Sequence, residues 1–252
     1  MSMASIAAIL FVMVLSIALP LGIMLFLRKR GGRWFPFLVG AVTFPLFALG
    51  LEQSVHAMVL RSSLGEVISG NIWLYALYGG LAAGIFEELG RFAAFKLALR
   101  EPARRLASLC YGAGHGGIEA LLLTGVTMAN NLMLALTVNR GGTLPPEVQD
   151  AAAQLAAVPA GMFLWAGFER VSAIGLHMAN SVLVFAAATQ PGKRRLLPAA
   201  IAIHAAANFL SVVLNAKVGV LAAELAALAV TVLAVLLAAG IYKNLPENEE
   251  NP

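Results

Sequence analysis

The sequence predicts an all-α polytopic membrane protein of about seven transmembrane helices built around a four-helix core, and three observations predict it. Of the 252 residues, 60% are hydrophobic and only 12% are charged. The mean hydropathy is +0.84. Several apolar runs exceed the ~18 residues with which a helix can cross a hydrocarbon layer ~30 Å thick. The net charge of +4 does not point to nucleic acid. The basic residues stand in short clusters beside apolar spans, as they do in the cytoplasmic loops of membrane proteins. A single cysteine, Cys110, excludes an internal disulfide and any multi-cysteine metal cage.

The first span, roughly 4–27, has no basic residue before it and "RKRGGR" directly after it, and it is longer than a signal-peptide core. It is expected to be retained. Further spans are expected at roughly 35–60, 71–98, 109–137, 159–189, 196–215 and 218–242. Several are rich in Gly and Ala, which lets helices approach closely in lipid. The longest polar connection, 140–158, carries Pro-Pro followed by alanines and predicts a loop running into a short surface helix. The tail "NLPENEENP", 244–252, is polar and expected to be disordered. Nothing marks a second domain, so residues 1–252 read as one membrane domain, with core spans at about 71–215 and accessory spans at 1–60 and 218–242.

Orientation follows from the Lys and Arg count. With the loops after spans 1, 3 and 5 and the C-terminus on one side, that side holds Arg28, Lys29, Arg30, Arg33, Lys96, Arg100, Arg104, Arg105, Lys193, Arg194, Arg195 and Lys243. The other side holds only Arg61, Arg140 and Lys217. Twelve against three predicts a plasma (inner) membrane protein with its N-terminus outside and its C-terminus in the cytoplasm.

Ionisable groups at bilayer depth cost several kcal/mol and so mark candidate function. The third span carries Glu87, Glu88 and Arg91, the fourth His115 and Glu119, the fifth Glu169, Arg170 and His177, and the sixth His204 and Asn208. Glu87/Arg91, His115/Glu119 and His204/Asn208 are i,i+4 pairs, so both members of each share a helix face. Glu87, His115, His177 and His204 lie about six to twelve residues from the predicted cytoplasmic helix ends, a single layer on the order of 10–18 Å deep at ~1.5 Å per residue. Simpler readings exist for each. A Glu-Arg pair can be a salt bridge that locks helices, a lone His can be a helix-helix hydrogen bond, and Asn208 can be structural glue. They account poorly for three histidines and a carboxylate pair at one depth. His56, near the outer end of the second span, lies far from that layer and reads as structural. Glu169 lies two turns further out.

Carboxylate and imidazole in a hydrated pocket suit activation of water. No serine-histidine or cysteine arrangement suggests a covalent nucleophile, and no HExxH is present. No cofactor is favoured. Zinc is possible, held by His115, His177 and His204 from different helices.

"EELGR", then the mid-span His of "ERVSAIGLH", then "HAAAN" resemble the three-motif pattern of the type II CAAX protease superfamily, the glutamic intramembrane peptidases. "YGAGHGGIEA" is similar to a signature of its YhfC-type branch. The similarity spans about residues 75–215 and leaves spans 1, 2 and 7 without a motif.

The resemblance implies an intramembrane endopeptidase whose four motif helices form a catalytic core. It implies Glu87 as the base that activates water, His177 as the group that orients it, His204 and Asn208 as oxyanion stabilisers, and Glu88 and Arg91 as supports. His115 and Glu119 would line the pocket or complete a metal site. There are two departures. Arg91 comes one position earlier than the usual EExxxR, a rotation of about 100°, and Ala173 replaces an aromatic residue before His177. The substrate would be a membrane protein or lipid-linked peptide met within the bilayer, from a hollow near the inner leaflet open to cytosol or lipid. A non-catalytic scaffold of the same fold and a proton-coupled transporter are the competing classes. The scaffold has no need of the Glu87–Glu88 pair, and the transporter class tends to show internal repeats that this chain lacks.

Overall fold

A computed structural model describes residues 1–99 and 105–247, and all regular structure among them is helical. Arg100 and Arg104, counted above for orientation, lie outside the described residues. Helix α1 (Met3–Arg28) starts where the Ser2 side chain accepts the Ser5 N–H. It is followed by a tight turn at Gly31, whose φ of 90° suits glycine. Helix α2 (Trp34–Val59) contains Pro45, which has no N–H to donate, and from there to Glu52 the helix widens into a π turn. A short helix α3 (Ser63–Ser69) precedes α4 (Ile72–Leu97), whose first N–H groups are capped by the Asn71 side chain.

Helix α5 (Arg105–Asn139) has a second π segment, Ala120–Gly125, directly after Glu119. The short helix predicted in the 140–158 connection is α6 (Pro146–Ala157), with Pro146 in its first turn. Helix α7 (Ala160–Thr189) is the longest uninterrupted and most deeply buried span. Helices α8 (Leu196–Lys217) and α9 (Val220–Tyr242) are joined by a reversal at Gly219, φ 124°.

Six of these helices are long and apolar enough to cross a membrane. Helix α4 has the length, but Glu87, Glu88, Arg91 and Lys96 lower its hydropathy. The seven predicted spans therefore correspond to seven long helices, six of which qualify on composition alone.

Small residues set the spacing around α7. A Cβ on Gly80 or Gly84 of α4 would lie 2.7 Å from the Ala205 or Ile201 carbonyl oxygen of α8, and one on Gly112 of α5 would lie 2.6 Å from the Met178 Cα of α7. Only glycine allows these backbones to touch, which brings the polar faces of α4, α5, α7 and α8 together. The main apolar cluster lies to one side of that meeting point and contains Phe95, Tyr111, Leu183, Phe185 and Ala200. Leu245 joins it, and Glu247 pairs with Arg105. The start of the tail is thus docked rather than disordered, because Leu245 finds an apolar site and Glu247 a cation. The remainder of the tail, 248–252, lies outside the described residues.

Candidate active site

Glu87 and Glu88 are adjacent in sequence, about 100° apart on α4, and so face different neighbours. The Glu88 carboxylate is fully buried and accepts from His204 Nδ1 at 2.8 Å and Asn180 Nδ2 at 3.0 Å, and it pairs with Arg91 Nε at 3.2 Å. Arg91, also fully buried, reaches across to α7. It donates to the His177 carbonyl at 2.6 Å, to Ser181 Oγ at 2.9 Å and to His177 Nδ1 at 3.0 Å. Every charge in this cluster is matched, which buried ions require. Its effect is to fix His177 and His204 relative to α4.

The Glu87 side chain faces the interior space between the helices. Its Oε2 accepts from His115 Nε2 at 2.9 Å. His177 Nδ1 lies 3.9 Å from Oε2 and His204 Nε2 lies 3.8 Å from Oε1. Both separations are too long for direct hydrogen bonds, and the one to His204 is short enough for a bridging water. The three rings form a row, with centroids 4.9 Å apart for His115–His177 and 5.3 Å for His177–His204. His204 gives Nδ1–H to Glu88, so Nε2 is the nitrogen that faces Glu87. His177 receives Arg91 on Nδ1, so Nε2–H donates to Glu119. Glu119 in turn accepts from Arg170 at 2.8 Å, and Arg170 also pairs with Glu169.

Beside this layer is a cavity of about 320 Å³ lined by Glu87, His177, His204, Asn208 and Glu119, with Phe44, Ala48, Leu49, Glu52 and Gln53 of α2 and Leu123, Glu169, Arg170, Ala173 and Leu176 completing the wall. Its lining runs from the histidine layer toward the helix ends that carry Arg61, Arg140 and Lys217. On the basic-loop side of the layer, among the described residues, Glu88, Arg91, Tyr111, Asn180 and Ser181 are fully buried.

The sequence-predicted residues are therefore gathered in two groups. Glu87, His177, His204, Asn208 and Glu119 reach the cavity, while Glu88 and Arg91 sit behind it and His115 supports Glu87 from the side. Arg91 serves Glu88 and α7 rather than Glu87. Of the alternative metal set His115, His177 and His204, the last two come together with Glu87: the possible ligand atoms of Glu87, His177 and His204 lie within 4.8 Å of one another. His115 already spends Nε2 on Glu87. Two imidazoles and one buried carboxylate form a donor set that zinc accepts, so the residues fit a metal in type and spacing. His177 would hold it through a nitrogen now given to Arg91 or Glu119.

Sequence reasoning named neither Asn180 nor Ser181 as a site residue. Their spacing, three and four residues after His177, places both near the same face of α7 and was the available signal. It also missed the second span, expected to be accessory. Glu52 of α2 lines the cavity, and His56 bonds Glu52 at 3.1 Å and Tyr78 at 2.8 Å. His56 is outside the layer, as expected, yet it orients a carboxylate on the cavity wall.

Over 177 residues the chain is 35% identical to the uncharacterized membrane protein YhfC of Bacillus subtilis (strain 168), which covers 66% of this chain and 68% of that protein. No solved structure matches. The model of the YhfC intramembrane metalloprotease family matches residues 15–243, and the chain belongs to that family.

Proposed function

We propose that this protein is an intramembrane endopeptidase that hydrolyses peptide bonds of membrane-protein or lipid-linked peptide substrates, using water activated by Glu87. The observation that carries the reading is the Glu87 carboxylate on a cavity wall with His204 Nε2 one water's reach away and the His177 ring beside it. A water there donates to Glu87, loses its proton to it, and adds to the scissile carbonyl carbon. Glu87 then delivers that proton to the departing amine. Asn208 and His204 line the same cavity, and their side-chain N–H groups stabilise the oxyanion. Glu88 accepts from His204 Nδ1 and fixes its ring. Arg91 fixes the ring of His177 by donating to its Nδ1, with Glu119 on the other nitrogen.

A second reading is supported by the compact Glu87–His177–His204 donor set and by the family's description. When bound, zinc would be held by those three residues and would supply Lewis-acid polarisation of the scissile carbonyl. The engagement of both His177 nitrogens by Arg91 and Glu119 favours the metal-free reading.

The test compares membrane-protein fragments in cells making the wild type or Glu87→Gln, which keeps the shape and removes the base. Cleavage should fall about 10²–10⁴-fold. Unchanged fragments would move the assignment to a scaffold. Purified protein that loses activity to a chelator and regains it with zinc would favour the second reading.

A further inference from the structure

We propose that the hollow is served from the extracytoplasmic half of the membrane, so that water and the polypeptide to be cut enter from the side opposite the basic loops. On every contributing helix the cavity lining lies at the histidine layer or on one side of it. From the level of Phe44, whose ring meets His115 at 5.5 Å, the wall of α2 continues to Ala48, Leu49, Glu52 and Gln53, toward Val59. From His115 it continues on α5 to Glu119 and Leu123, toward Asn139. From His177 it goes back along α7 to Ala173, Arg170 and Glu169, toward Ala160. From His204 it goes on along α8 to Asn208, toward Lys217.

These four ends lie on the side with three basic residues against twelve. The next turn in the other direction is closed by the matched Glu88–Arg91 cluster and by Tyr111, Asn180, Ser181 and Ala200, all fully buried. A path to the basic loops would have to cross that network.

Exposure grades the same way. Glu87, His177 and His204 at the floor are buried, Asn208 and Glu119 are half-buried, and Leu49, Gln53 and Leu123 at the rim are exposed. The two short helices that are not spans, α3 and α6, also lie in the connections at this end. The rim pairs apolar Leu49 and Leu123 with polar Gln53 and Glu169, a mouth at the edge of lipid and water. It suits an extended stretch of a membrane-anchored chain lowered from the outer leaflet. The kind of molecule that enters rests on the protease reading, whereas the direction of entry does not.

The chain's one cysteine, Cys110, is fully buried and can be replaced, giving a cysteine-free background in Cys110→Ala. Single cysteines are placed at the rim (Gln53→Cys and Leu123→Cys), at the same depth on α2 but off the cavity (Leu51→Cys), and in loops at the two ends (Arg140→Cys and Arg30→Cys). Intact cells are treated with a charged, membrane-impermeant thiol reagent. Denatured samples treated with a permeant one report the amount of each protein. Positions 53, 123 and 140 should label in intact cells, 51 should not, and 30 should label only after permeabilisation.

Rim labelling only after permeabilisation, no rim labelling while 140 reacts, or labelling of 30 instead of 140 in intact cells would each overturn the proposal. The same pattern is expected in a Glu87→Gln background. A failure of the protease assignment therefore leaves this measurement readable.

Discussion

Arg91 and Arg170 are both buried guanidinium groups set beside a carboxylate and close to His177, yet they belong to opposite halves of the bundle. Arg91 has every donor directed into dry protein, where Glu88, the His177 carbonyl, Ser181 and the His177 ring hold it. Arg170 stands on the wall of the cavity between Glu119 and the partly exposed Glu169. The same residue type acts as a clamp in one place and as part of a polar wall in the other. The difference is access to water: a dry cation must have all its partners in the protein, whereas a hydrated one can exchange a partner for solvent.

Substitutions can break or sharpen that contrast. The largest effect is expected for Arg91→Ala, which leaves Glu88 buried without its cation. Stability should fall by about 3–5 kcal/mol, measured as a lower unfolding temperature in detergent or as loss of monodisperse protein. A small change would mean that water reaches the Glu88 side after all. On the cavity side, Asn208→Ala should lower the catalytic rate about 10²–10³-fold by removing an oxyanion donor, with the unfolding temperature unchanged. If rate and stability fall together, Asn208 is a helix contact and not a site residue.

Arg170→Met should cost less than Arg91→Ala, about 1–2 kcal/mol, because Glu119 retains His177 as a partner and can be solvated. It should also slow cleavage, since His177 then loses a fixed carboxylate behind it. Thermal unfolding and fragment yield measured on the same preparation separate the two effects. The smallest effect belongs to Glu169→Gln at the rim, within about 0.5 kcal/mol of wild type. A larger loss in unfolding temperature would place the rim inside packed protein and weaken the case for a mouth there.

Much of this was legible in the residue pattern, and for definite reasons. The spans were visible because ~20 apolar residues in a row admit few other uses. The layer was visible because helical rise is constant, so Glu87, His115, His177 and His204 could be placed at one depth by counting. The i,i+4 spacing of His204 and Asn208 put them on one face, and both line the cavity. The partners of each group were not legible. Glu87 and Glu88 are neighbours in sequence with opposite duties, and only the rotation of α4 between α5, α7 and α8 assigns the cavity to one and the salt bridge to the other. The role of Glu52 was hidden for the same reason. It depends on a π turn after Pro45 and on α2 packing against the motif helices, neither of which leaves a periodic trace.

By itself the amino-acid order determined that this chain lives in a bilayer, how many times it is long enough to cross, and which ionisable side chains share a depth. Hydropathy and helical rise are properties of single segments. The fold alone decided which carboxylate faces open space, which arginine is a clamp, that a second helix thought accessory supplies a wall, and toward which end the hollow leads. Those depend on how helices rotate and close against one another, and glycine contacts between distant segments set that.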